Sequence, residues 1–228
     1  MAQDYSELYR KLGIVFRNQD ILETAFTHRS YLNEVKKIKE SNERLEFLGD
    51  SILSYIISSY LFKTRPEDPE GDLTNLRSYI VKTKSLAEAS EKIGLGKYLK
   101  LSKGEEISGG RSNPQLLANT FEALLGAIYL DLGINIATEV VYKILLPGFK
   151  KEIESGPPKD AKSLLQELAQ EKVKQSPHYK ILTTIGPDHA KEFLVGVFIK
   201  GKEEGRGKGS SKQAAEEEAA REALKKFE

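Results

Sequence analysis

Three carboxylates, Glu43, Glu46 and Asp50, stand three and then four residues apart in the stretch Asn42-Glu43-Arg44-Leu45-Glu46-Phe47-Leu48-Gly49-Asp50-Ser51. At 3.6 residues per turn that spacing puts all three on one face of a helix. The helix runs on into an apolar stretch, 52–62, that reads as buried. Stacked carboxylates repel, and burying them is expensive unless positive charge lies between them. Either an Arg or Lys side chain or a hard divalent cation, which prefers oxygen ligands, meets that need. A solvated helix face is the third reading, and the ordinary one for such a charge pattern. A second strongly apolar helix, expected over 115–132, carries Asn119 and Glu122 three residues apart on one face. Oxygen donors thus recur in another helix that should be buried. His28, in Thr27-His28-Arg29-Ser30-Tyr31, is either a catalytic base or a structural side chain beside a helix end.

The elements that must position these groups are mostly helical. Periodicity predicts short helices over 5–12 and 20–26, with Asn18 a cap for the second. The acidic helix spans about 42–63 and stops before a loop with two prolines and a glycine, 65–71. A further helix over 73–93 is capped by Asp72 or Thr74 and ended by Gly94-Leu95-Gly96. Residues 103–114 are polar, Gly-rich and bounded by proline, and read as a loop where functional contacts could sit. A helix over 137–154 is broken or kinked by Pro147. Gly156-Pro157-Pro158 is the best domain boundary in the chain. Beyond it the pattern changes to a helix over 161–173, strands at 179–185, 193–199 and 202–208, and an Ala- and Glu-rich helix over 211–227. The order α-β-β-β-α implies a three-stranded sheet with two helices on one face.

Composition narrows the function. With 228 residues the chain has room for two cores. It has no cysteine, which excludes disulfides, thiolate metal sites and cysteine nucleophiles, and fits a reducing cytoplasm. No apolar run is long enough to span a bilayer, so no membrane partner is expected. Residues 1–158 hold 21 Lys/Arg against 22 Asp/Glu, net −1; residues 159–228 hold 14 against 12, net +2. A polyanion would therefore have to be held by local clusters rather than by a global field.

The stretch from Glu43 to Asp50 resembles the signature of ribonuclease III, the double-stranded-RNA endonuclease. Residues 27–31, the loop 103–111 and Leu117-Ala118-Asn119-Thr120-Phe121-Glu122-Ala123 are similar to further parts of that family, in the same order. Residues 159–228 resemble the double-stranded-RNA-binding domain that follows the nuclease domain in the bacterial enzymes. The resemblance implies an all-α endonuclease domain over 1–155, a linker over 156–159, and a small α+β (α-β-β-β-α) double-stranded-RNA-binding domain over 160–228. If the two acidic helices pack side by side, four oxygen donors converge, as in helical-bundle metal sites. By the resemblance Glu46, Asp50, Asn119 and Glu122 match metal-binding positions for Mg²⁺, with Mn²⁺ as a substitute. Asp50 and Glu122 match catalytic positions, Glu122 the most essential, and Glu43 matches a supporting acid.

The same resemblance implies a homodimer that places two sites across one duplex. The products would be 5′-phosphate and 3′-hydroxyl ends with short 3′ overhangs, in the processing of rRNA precursors and structured mRNA. Phe47 is then a dimer contact, against the plainer reading that it is core. Ser163 and Gln166 match minor-groove contacts, and His189 matches the tip of a loop for a second minor groove. Lys208 and Lys212 match phosphate contacts at the start of the last helix. Two departures stand out. The family usually has Asp where this chain has Asn119, which supplies an oxygen but no charge. Natural variation with retained activity, an engineered change, and a double-stranded-RNA-binding protein with an impaired or inactive nuclease site all accommodate it. A basic residue usual just after Lys212 is Gln213, which should weaken phosphate binding.

Overall fold

The computed structural model describes residues 3–35, 37–156, 160–187 and 191–226. The chain divides into two compact units, residues 1–157 and 158–228.

The first unit is helical: α1 (Ser6–Leu12), α2 (Gln19–Ala25), α3 (Glu43–Thr64), α4 (Glu70–Ile80), α5 (Thr83–Ile93), α6 (Lys103–Ile107), α7 (Pro114–Leu132), α8 (Ile134–Ile144) and α9 (Lys150–Ser155), joined by loops and 3₁₀ turns. Local chemistry sets the starts. Asn18 accepts from the Asp20 and Ile21 N–H groups. Asn113 does the same for Gln115 and Leu116, with Pro114 at the first helical position, where its missing N–H costs nothing. Helices α3 and α7 form the centre. Leu53, Ile56, Ile57 and Leu61 from one, and Leu124, Leu125 and Ile128 from the other, are buried in one continuous core. Each fully buried side chain of this size contributes about 1.5–3 kcal/mol relative to exposure.

Two glycines let the central pair touch backbone to backbone. A Cβ on Gly49 would lie far inside van der Waals distance of the Glu122 carbonyl. One on Gly126 would collide with the carbonyl of Leu45. The contact is reciprocal, each helix offering one glycine to the other's backbone.

Three expectations need adjustment. The single helix expected over 73–93 is two, α4 and α5, separated at Val81 and Lys82, where Lys82 is extended (φ −63°, ψ 151°). Leu76 and Ile80 must face the core from α4, and Leu86, Ala89 and Ile93 from α5. The Ser85 hydroxyl donates to the Tyr79 carbonyl (3.2 Å) across the bend. Helix α4 also starts earlier than expected, at Glu70 after Pro69, so neither Asp72 nor Thr74 is its cap. The loop over 103–114 contains α6, capped by Ser102, and a 3₁₀ turn at Gly110–Ser112. Pro147 does break the helix over 137–154, into α8, a 3₁₀ turn at Leu146–Phe149, and α9.

The second unit is α10 (Ala161–Val173), β1 (His178–Ile185), β2 (Glu192–Ile199), β3 (Lys202–Gly209) and α11 (Lys212–Leu224). The strands form an antiparallel sheet in the order β1-β2-β3. Alternate residues Val195, Val197 and Ile199 bury against Leu165 and Ala169 of α10 and Ala215, Ala219 and Ala223 of α11. Gly205, Gly207 and Gly209 on β3 leave no room for a Cβ against the α11 backbone. The helix therefore lies directly on the strand.

Candidate active site

Close packing of α3 on α7 brings Glu46 and Asp50 to one wall, and Asn119 and Glu122 to the other, of a cleft of about 700 Å³. His28, Arg29, Asn42 and Gln115 complete its lining together with Glu43 and Phe47. The four oxygen-bearing residues singled out from the sequence thus share one cleft. Among the described residues, however, no three His, Asp or Glu side chains are already gathered tightly enough to hold an ion by themselves.

The electrostatics record the crowding. Glu122 is half-buried, and its carboxyl is pushed up from 4.5 to about 7, first by burial and then by the charges of Asp50 and Glu46. Glu46 is also raised, by burial first and by Glu43 and Asp50, while a hydrogen bond from Asn119 opposes the rise. No basic side chain forms an ion pair with Glu46, Asp50 or Glu122 among the described residues. Among the described residues, the Arg or Lys alternative for neutralising the acids therefore fails for these three. It holds for Glu43, which sits at the rim, 3.7 Å from Arg29 and accepting from the Ser41 hydroxyl at 2.8 Å.

Asn119 is held from both sides. The Gln115 amide donates to its Oδ1 (2.7 Å), and on the other side Asn119 lies near enough to Glu46 to oppose the rise of that carboxyl. Gln115 was not anticipated, although its position one turn before Asn119 was a usable signal. Gly49 and Gly126 were also missed as site-forming residues. Glycines inside otherwise apolar helices mark close backbone approach, but which backbone approaches is not written in the local sequence.

Phe47 is 79 % exposed, so the plainer reading, that it is core, is excluded. It borders an apolar hollow of about 830 Å³ lined by Ile21, Leu45, Leu48 and Leu130. In the second unit Ser163, Gln166, Lys208 and Lys212 all lie on the surface. Lys212 is 3.8 Å from Glu216. His189 lies outside the described residues.

Residues 18–149 match the family model described as Ribonuclease-III-like, and residues 161–227 match the double-stranded RNA binding motif. A Ribonuclease 3 of Borreliella afzelii is 48% identical over 98% of this chain and 91% of its own length. The chain belongs to the ribonuclease III family. It is accordingly an endoribonuclease that acts on double-stranded RNA, built as a helical nuclease domain followed by a double-stranded-RNA-binding domain. Other ribonucleases III align as fully: a Ribonuclease 3 of Streptococcus gordonii is 46% identical over 96% of this chain and 94% of its own. Among solved structures, the nuclease domain of the Campylobacter jejuni ribonuclease III superposes with a TM-score of 0.60 at 35% identity, covering 64% of this chain and 99% of that one. That structure is described as showing flexibility in a region involved in dimer formation. No helix among the described residues of this ribonuclease III is long and apolar enough to cross a membrane.

Proposed function

We propose that this ribonuclease III hydrolyses the phosphodiester backbone of double-stranded RNA with the help of Mg²⁺ held by Glu46, Asp50, Asn119 and Glu122, Mn²⁺ being able to replace it. The observation that carries the reading is the unpaired acidity of the cleft: three carboxylates crowd together, and Glu122 is driven up to about 7 with no basic partner among the described residues. Burial of that kind is relieved by a hard cation with oxygen ligands. The donor set fits: three anionic oxygens and one neutral carbonyl suit an ion that keeps several waters. When bound, such a cation neutralises phosphate charge, polarises the phosphoryl group and lowers the pKa of attacking water.

The chain's own residues do the rest. Asp50, exposed at the cleft wall, and Glu122, half-buried behind it, present the ligand oxygens. Asn119 is held by Gln115 and lies beside Glu46, so the substitution of Asn for the family's usual Asp leaves that position structurally engaged. This supports natural variation with retained activity over an inactive site. Arg29, beside Glu43 at the rim, adds positive charge where RNA would approach.

A second copy of the chain completes the arrangement in this reading. Exposed Phe47 beside an apolar hollow is a self-complementary pair, as a two-fold interface requires. Two clefts then address one duplex, one per strand, giving 5′-phosphate and 3′-hydroxyl ends with short 3′ overhangs. Ser163, Gln166 and His189 serve the minor grooves and Lys208 and Lys212 the phosphates between them, in line with how such domains read A-form shape. Ribosomal-RNA precursors and structured mRNA in the cytoplasm are the substrates this reading implies.

The test uses a long RNA hairpin with Mg²⁺ or with chelator. Mg²⁺-dependent cutting that falls at least a thousandfold in Glu122→Gln, with hairpin retention in chelator unchanged, is the expected outcome. Hairpin retained but uncut under both conditions points to a binding protein instead, and cutting that appears only in Asn119→Asp identifies an impaired site. Phe47→Glu is expected to shift the protein from dimer to monomer in sedimentation; an unchanged dimer removes Phe47 from the interface.

A further inference from the structure

We propose that His28 is a substrate-contacting residue of the cleft, donating its Nε2–H to a backbone oxygen, phosphate or 2′-hydroxyl, of the RNA strand being cut. The inference rests on the nuclease reading of the same cleft.

The placement of His28 is set by backbone pairing remote from the acidic helices. The His28 N–H donates to the Lys100 carbonyl (3.1 Å), the Lys100 N–H to the Phe26 carbonyl (2.8 Å), and the Asn42 N–H to the Thr27 carbonyl (2.8 Å). This short bridge ties residues 26–28 both to the residue before α3 and to the segment before α6. It places the imidazole in the lining of the cleft that holds Glu46, Asp50, Asn119 and Glu122.

Hydrogen bonds fix the tautomer. The Ser30 N–H donates to His28 Nδ1 (3.3 Å), and a backbone N–H can only donate, so Nδ1 presents its lone pair. The Ser30 hydroxyl lies 2.8 Å from the same nitrogen and accepts from the Ser102 N–H at 3.0 Å. With Nδ1 accepting from the Ser30 N–H, the tautomer assigned from these contacts carries the ring proton on Nε2. Among the described residues Nε2 has no hydrogen-bond partner, and it is not sealed from solvent. Burial lowers the imidazole pKa, with Arg29 acting the same way and Glu105 and Glu43 opposing, which favours the neutral ring. A single oriented N–H donor, neutral and open to an acidic cleft, complements an acceptor oxygen. Among the components of RNA presented at a cut site, the backbone oxygens are the ones any base sequence supplies. The alternative is a purely structural role, as cap of the 3₁₀ turn Arg29–Asn33.

The two ends of the ring can be tested apart. Asn places an acceptor where Nδ1 sits and keeps the cap, but has no donor at Nε2. Gln reaches the Nε2 position with an amide N–H and gives up the cap. Single-turnover cleavage of a defined hairpin is measured for wild type, His28→Asn and His28→Gln, with melting temperature and hairpin binding in chelator alongside. His28→Asn is expected to melt like wild type yet cut about ten- to a hundredfold more slowly, as for loss of one oriented donor. His28→Gln is expected to cut faster than His28→Asn despite melting earlier. The reverse order, or a cleavage loss that follows melting temperature, overturns the proposal in favour of the cap. Hairpins with one 2′-deoxynucleotide or one methylphosphonate near the cut identify the oxygen: the modification that slows wild type and leaves His28→Asn unaffected marks the acceptor. If every modification slows both proteins alike, His28 does not touch the backbone. A wild type that does not cut at all defeats the nuclease reading itself; a wild type and His28→Asn that cut equally defeat only the role of His28.

Discussion

Both halves of the molecule use glycine to press two elements together, but toward opposite ends. In the nuclease domain Gly49 and Gly126 let α3 and α7 meet at their backbones. What that closeness gathers is charge: Glu46 and Asp50 face Glu122 across the cleft. In the RNA-binding domain Gly205, Gly207 and Gly209 bring β3 onto α11, and what that closeness buries is an apolar core rich in alanine. The charged residues there, Lys208 and Lys212, stay on the surface. One contact thus builds electrostatic tension into the folded protein, which a ligand can relieve. The other makes a quiet scaffold with these lysines outside it. Catalysis in general calls for perturbed environments, whereas binding a polyanion by counterion release calls only for solvated positive charge.

The sharpest way to break this comparison is to fill the glycines. Gly49→Ala drives a Cβ into the carbonyl of Glu122, a backbone atom that cannot swing away. We expect a loss of about 2–4 kcal/mol, seen as a lowered melting transition of the nuclease domain, with cleavage abolished. Gly207→Ala meets the backbone of Ala215 and Ala219 in the same way. Its melting loss should be similar, but the assay should differ: hairpin retention in chelator is lost while the nuclease domain's own transition stays in place. If both variants lose both properties, the two domains do not act as separate scaffolds.

Stored tension in the nuclease domain has a pH signature. Between about 4.5 and 7 the folded chain keeps a proton on Glu122 that the unfolded chain has released. Without added metal, stability should therefore fall as pH rises across that window. Glu122→Gln should flatten the slope and raise the melting temperature above pH 7. A metal-free protein equally stable at pH 5 and 8 would show that the carboxylates are not in tension.

The smallest effect belongs to the quiet scaffold. Lys208→Ala and Lys212→Ala should each weaken hairpin binding a few-fold, equally for all sequences, and reduce the slope of log affinity against log salt by about 1. Lys212 already shares its charge with Glu216 at 3.8 Å, so its effect should be the smaller of the two. Sequence-dependent losses would mean that these residues read bases rather than phosphates.

How much could be read in advance depended on how local the cause was. The extents of α3 and α7 follow from their long apolar runs, and the cap Asn18 and the break at Pro147 from side chains bonding to, or withholding a bond from, their own neighbouring backbone. The division of 73–93 into α4 and α5 was not legible, because no proline or glycine marks Val81 and Lys82. It arises from two apolar faces that must reach different parts of one core. Within the site, Glu46, Asp50, Asn119 and Glu122 were legible as types and spacings on two helices.

The sequence by itself thus determined which residues could do chemistry, the order of the elements that carry them, and the family. Helical and strand periods, caps and turn residues are properties of a few adjacent positions, and the motifs lie within single elements. Only the tertiary structure decided that the two acidic faces look into one cleft, that Glu43 lies beside Arg29, that Phe47 faces outward, and that His28 lines the same cleft as the acids. Each of those depends on contacts between residues far apart in the chain. The closest of them, Gly49 on the Glu122 carbonyl, works through the absence of a side chain. What a missing Cβ admits is not visible until the other helix is in place.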